Sequence, residues 1–253
     1  MKKDNIIIVG DSISEGIGQK KINYEIFLKK AMNKYNIINM ARTGTTIKYG
    51  NTISEEIIKL NPKYVIIFYG NVDAQIRANI NGKKTKLINF IPNRYKKNGM
   101  LDPRPFYSKK WYRWIPDRLD NVVRFYIKKM VIHFEGTIQW VSIEEFEKEY
   151  TDFIIKLKEN SIIPIIISTI FLDDDYFLNS NIEYEKYNNV LKKISQKNNC
   201  IYIDFYSSLK KYVNNKGVWD LYSSDHFHPN EYGYKYLSYL ISKKMKDIER
   251  GNK

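Results

Sequence analysis

Near one end of the 253-residue chain, Asp225 and His228 stand three residues apart in the run Asp225-His226-Phe227-His228-Pro229-Asn230. Two of the chain's three histidines lie in that run, and Ser12 lies near the other end in Gly10-Asp11-Ser12-Ile13-Ser14. A serine hydroxyl becomes a nucleophile when an imidazole takes its proton and a carboxylate holds that imidazole in the right tautomer. A turn of the form Asp-x-x-His can fold the carboxylate onto Nδ1 and leave Nε2 facing a nucleophile. His226 is the rival base, but its adjacency to Asp225 turns its side chain elsewhere, which favours His228. The bland reading of this run is a surface loop whose following helix is set by Pro229.

Bringing these groups together requires elements that return the chain ends to one place. Short runs rich in Ile, Val, Tyr and Phe predict strands at 5–9, 37–40, 64–69, 162–168 and 200–205. Their nearly unbroken apolar character suits parallel strands covered on both faces. Helices are expected at 15–33, 52–60, 142–160, 182–197 and 231–249, with Ser142 and Glu145 as a capping box. This alternation describes a doubly wound α/β sheet. Ser12 then follows the first strand at the start of a helix, where free amides and a positive potential suit an oxyanion. The same position equally suits Ser12 or Ser14 as a helix cap.

One segment breaks the rhythm. Residues 74–141 read as an insertion after the third strand, with a helix at 119–133, placed to form a lid or substrate wall within one domain spanning 1–253. Between Lys83 and Lys129, Lys and Arg exceed acids by 11, against +14 for the whole chain. Such a basic, aromatic-rich segment can meet phosphates, acidic glycans, nucleic acid or an anionic lipid surface.

Four blocks in order carry a resemblance. Gly10-Asp11-Ser12-Ile13-Ser14 resembles the first block of the GDSL or SGNH hydrolase family, and Asp225-His226-Phe227-His228-Pro229-Asn230-Glu231-Tyr232-Gly233 its last. Ala41-Arg42-Thr43-Gly44-Thr45-Thr46 resembles the glycine block, and Gly70-Asn71-Val72-Asp73 follows the third strand. The resemblance implies a three-layer α/β/α sandwich with a flavodoxin-like parallel sheet of about five strands, and a triad of Ser12, His228 and Asp225. It also implies an oxyanion hole from the backbone of Ser12 and Gly44 and an asparagine side chain. The family pattern G-x-N-D places that asparagine where this chain has Val72, with Asn71 one residue early as the candidate third donor. Asp73 is expected to hold Arg77 by hydrogen bonding.

The expected activity is that of a serine esterase on acyl, foremost acetyl, esters of a carbohydrate or other polar substrate, possible anionic ones included. An O-acyltransferase modifying a glycan during assembly shares the acyl-enzyme, with a donor such as acetyl-CoA; hydrolysis needs no cofactor. A third reading is a non-catalytic binder of anionic polymer or membrane through the insertion. Asp11, Arg77, Arg113, Trp111 and Trp114 are candidate substrate contacts, as are Tyr112 and Trp140, with lid core the alternative for the aromatic residues. Nucleic acid is not expected, since no recognised module accompanies the charge; peripheral membrane contact is left open by it. Asp173-Asp174-Asp175 lacks the spacing of a calcium loop and reads as a solvated turn, so no metal is expected. His133 reads as a core or lid residue. The lone Cys200 and the lack of a signal-like segment suggest a cytoplasmic protein.

Overall fold

The computed structural model describes residues 3–17, 22–97, 100–102 and 111–251; the side chains of Trp111, Arg113 and Trp114 fall outside that description. Five parallel strands make the central sheet: β1 (Asn5–Gly10), β2 (Asn36–Asn39), β3 (Tyr64–Phe68), β6 (Ile163–Ile167) and β7 (Ile201–Ile203), in the order β2-β1-β3-β6-β7. Two short strands, β4 (Arg77–Ala78) and β5 (Thr137–Ile138), pair antiparallel and close the insertion at its base. Every residue of β3 is buried, as its uninterrupted apolar run requires of a central strand.

Eleven α-helices surround the sheet among the described residues: α1 (Ser12–Glu15), α2 (Tyr24–Ala31), α3 (Ile47–Thr52), α4 (Ser54–Lys59), α5 (Asn71–Ala74), α6 (Leu87–Phe90), α7 (Trp111–Glu135), α8 (Ile143–Glu159), α9 (Ser180–Lys197), α10 (Phe205–Lys216) and α11 (Glu231–Gly251). Helices α2 and α11 pack together, while α8 packs on α3, α4 and α9, giving a layer on each side of the sheet. Successive residues at the end of β3 show the alternation: Phe68 meets Tyr24 of α2, whereas Tyr69 lies against Gly50 of α3. Helix α8 starts where Ser142 accepts a hydrogen bond from the Glu145 N–H.

The expected helix over 15–33 is two elements. Gly16 ends α1 in a left-handed conformation (φ 93°), and the Asn23 side chain donates to the Ser14 and Glu15 carbonyls. The expected helix over 52–60 is likewise the pair α3 and α4, and α10 follows β7 where no helix was expected. In the insertion, the expected helix over 119–133 extends to the whole of α7. Ala78, Ile80, Ile91, Tyr95, Leu101 and Val131 form a small apolar cluster there, separate from the main core.

The approach to α11 is tightly built. Asn230 donates to the Asp220 and Tyr222 carbonyls and accepts from the Tyr232 and Gly233 N–H groups. A Cβ on Gly233 would stand 2.2 Å from the Leu221 carbonyl oxygen. Gly233→Ala is therefore expected to cost about 1–3 kcal/mol by forcing backbone to move, readable as a lower urea midpoint with an unchanged slope.

Candidate active site

Strand β1 delivers Asp11 and Ser12 to the carboxyl edge of the sheet, the edge where open α/β folds bind ligands. Asp11 caps α1 by accepting from the Ile13 N–H at 2.9 Å. That cap fixes the turn from which Ser12 projects, and Ser12 is 7 % exposed. At the far end of the chain, Asp225 is fully buried and accepts from the Phe227 and His228 N–H groups. Its other oxygen lies 2.6 Å from His228 Nδ1, and His228 Nε2 lies 2.8 Å from Ser12 Oγ. The structure thus brings Ser12, His228 and Asp225 into one continuous hydrogen-bonded line.

The glycine block lies beside this line. Arg42 N–H donates to the Gly10 carbonyl, and Thr43 donates through both its N–H and its hydroxyl to Glu15. Gly44 is exposed in a left-handed conformation (φ 71°), with open space where a Cβ would be. No acceptor among the described residues takes its N–H.

Asn71 goes elsewhere. It is fully buried: its Oδ1 accepts from the Ile170 N–H at 2.9 Å, its Nδ2 donates to Asp11 at 3.3 Å, and its carbonyl accepts from the Tyr184 hydroxyl. Asp73 accepts from the Ile47 and Gly70 N–H groups rather than from Arg77. Arg77 is buried, paired with Asp102 at 3.2 Å and stacked on Trp140. Asp11 and Arg77 are thus framework groups closed off from solvent, and Trp140 is committed to Arg77. Tyr112 is half exposed on α7. His133 is exposed on α7, within the insertion and outside the core.

The sequence did not reveal a second imidazole and carboxylate pair. His226, in a left-handed conformation (φ 51°), sets Nδ1 2.5 Å from Asp173, and Trp219 stacks on its ring. Asp173 is buried, not part of a solvated turn. The signal for it was position: Asp173 follows β6 at the same carboxyl edge. A cavity of about 540 Å³ opens beside His226, lined by Phe125 and Tyr126 of α7 and by Asp175, Tyr176 and Ser224.

A family model described as the GDSL-like lipase/acylhydrolase family matches residues 8–236. The chain belongs to that family. It is a serine esterase acting on acyl esters. No curated protein matches the sequence of this acylhydrolase. Among solved structures it is similar to a lipase/acylhydrolase from Enterococcus faecalis, at 16% identity and TM-score 0.63, covering 97% of this chain and 96% of that one. It is similar also to Axe2, an acetylxylan esterase from Geobacillus stearothermophilus, at 14% identity and TM-score 0.63 over 95% and 93% of the two chains. A third is the acetyl xylan esterase AlAXEase, at 16% identity and TM-score 0.62 over 94% and 98%. At these identities the likeness is one of fold.

Burial, which disfavours the charged form, pushes the Asp11 carboxyl up to about 6 and the Asp73 carboxyl up to about 7 against a usual value of 3.8. The folded acylhydrolase therefore holds these protons more tightly than the unfolded chain does. The stability they lend is complete below about pH 4 and is lost as pH rises through about 6 and 7. The unfolding free energy from urea titration is expected to fall between about pH 4 and about pH 8, with a shallower fall in Asp73→Asn.

Proposed function

We propose that this acylhydrolase cleaves acyl esters of a carbohydrate, acetyl esters foremost, through Ser12, His228 and Asp225. The observation that carries this reading is the line from Ser12 Oγ to His228 Nε2 at 2.8 Å and from His228 Nδ1 to Asp225 at 2.6 Å. Ser12 Oγ attacks the acyl carbon as its proton passes to Nε2, and Asp225 holds the imidazolium that forms. Collapse of the tetrahedral intermediate expels the sugar alkoxide, which takes the proton from Nε2, leaving the acyl group on Ser12. Water, deprotonated by His228, then releases the carboxylic acid and restores the serine.

The backbone N–H groups of Ser12 and Gly44 receive the oxyanion. Asn71 is fully buried, with its Oδ1 accepting from the Ile170 N–H and its amide donating to Asp11, and Val72 stands where the family pattern has its donor. On this reading the hole works with two backbone donors. The names of the acetylxylan esterases of similar fold support a carbohydrate as the alcohol. So does the cavity beside His226, whose Tyr126 and Tyr176 offer ring faces and whose Asp175 and Ser224 accept or exchange hydroxyl bonds.

Ser12→Ala and His228→Ala are each expected to lower kcat for acetate release from acetylated xylo-oligosaccharides by at least about a thousandfold, with the double variant little worse than either. Retained turnover in Ser12→Ala would refute the covalent route. A gain is expected from Val72→Asn: a third oxyanion donor should raise kcat on 4-nitrophenyl acetate by about tenfold or more, since losing such a donor costs about a hundred- to a thousandfold.

A further inference from the structure

Helix α7 mixes charge with Val131, Ile127 and Ile132 on its inner side and shows a second apolar face outward. A surface helix ordinarily buries an apolar stripe and shows its charges to water. On α7 the buried face carries Arg124, Lys128 and Glu135 around Val131. Arg124 pairs with Asp120 at 2.5 Å, Lys128 pairs with Asp102 at 2.8 Å, and Glu135 accepts from the Lys84 and Thr85 N–H groups. The opposite face shows Ile115, Leu119, Val123, Tyr126, Met130 and Phe134, all exposed, with Leu119 at 61% and Tyr126 at 65%. At 3.6 residues per turn these six fall within an arc of about 100° and run for about 28 Å.

Single exposed apolar residues are ordinary, but a continuous stripe marks a surface that docks. Its surroundings select the partner. Arg118 and Lys129 border the stripe by helical spacing, and residues 83–129 carry a net +11. A second copy would set like charge against like. An anionic bilayer answers both features, with acyl chains for the stripe and negative headgroups for the basic border.

We propose that the outer face of α7 docks on an anionic lipid bilayer, the helix lying along the interface. The contact is peripheral, because no helix among the described residues is long and apolar enough to cross a membrane. Tyr126 and Arg118 also line the cavity beside His226, whereas Leu119, Val123 and Met130 do not, so a variant at these three positions tests the docking face while leaving the cavity lining intact.

The test is co-sedimentation of the full chain with vesicles of phosphatidylcholine alone and of phosphatidylcholine mixed with phosphatidylglycerol. Binding to the mixed vesicles is expected to be about tenfold or more tighter and to weaken at high salt. The combined variant Leu119→Ser, Val123→Ser and Met130→Ser is expected to bind at least about tenfold more weakly, while its turnover of a soluble ester stays unchanged. These positions are exposed, so folding is not at stake. The proposal is overturned if the native chain stays in the supernatant with the mixed vesicles, or if the variant sediments as well as the native chain. It is also overturned if light scattering shows a dimer that the variant dissolves, which would assign the stripe to self-association.

Discussion

The arrangement at the carboxyl edge of the sheet depends on a carboxylate sealed beneath the nucleophile. Asp11 has no access to water, so its oxygens must be met from within the protein. Ile13 N–H meets one and the Asn71 amide the other. The first bond turns β1 into α1 and aims Ser12. The second joins the end of β1 to the end of β3, and Asn71 passes the link to Ile170 beyond β6. Asp73 does the same for the glycine block through Ile47. Two desolvated carboxylates thus set the distances between the loops that carry chemistry. The same demand holds Asn71 between Asp11 and Ile170.

The insertion obeys a different logic from the main core. Its apolar cluster is small, and its interior is completed by Arg77, Arg124 and Lys128 with Asp102 and Asp120. Buried ion pairs contribute little net stability but penalise any arrangement that separates them, so they specify one geometry more than they strengthen it. Of the apolar side chains of α7, Val131, Ile127 and Ile132 meet the cluster, and a second set is left on its outside.

What could be read from the sequence was what is local or strongly periodic. The strands announced themselves because a parallel strand buried on both faces must be apolar throughout, as β3 is. Asp225 and His228 were legible because four consecutive residues of one turn hold both. Helix α10 was missed: from Phe205 to Lys216 its apolar residues are outnumbered by Ser, Lys and Asn, and only Phe205, Tyr206, Leu209 and Val213 are buried. The break between α1 and α2 was hidden because Gly16 and Asn23 act through backbone conformation and a side-chain bond across the turn. Arg77 looked like a substrate contact because its partner Asp102 lies in a segment without periodicity. The pair of His226 with Asp173 joins residues 53 apart, a separation that no local pattern reports.

The contact between Ser12 and His228 spans 216 residues. During synthesis the serine follows the first strand of the sheet, while the imidazole comes only after the last strand, β7, has been made. A nascent or truncated chain can therefore bury much of its core and still hold an unassisted hydroxyl. On the proposed mechanism, a partial product that stops short of His228 carries no esterase activity; activity switches on when the imidazole beyond β7 reaches the serine beyond β1.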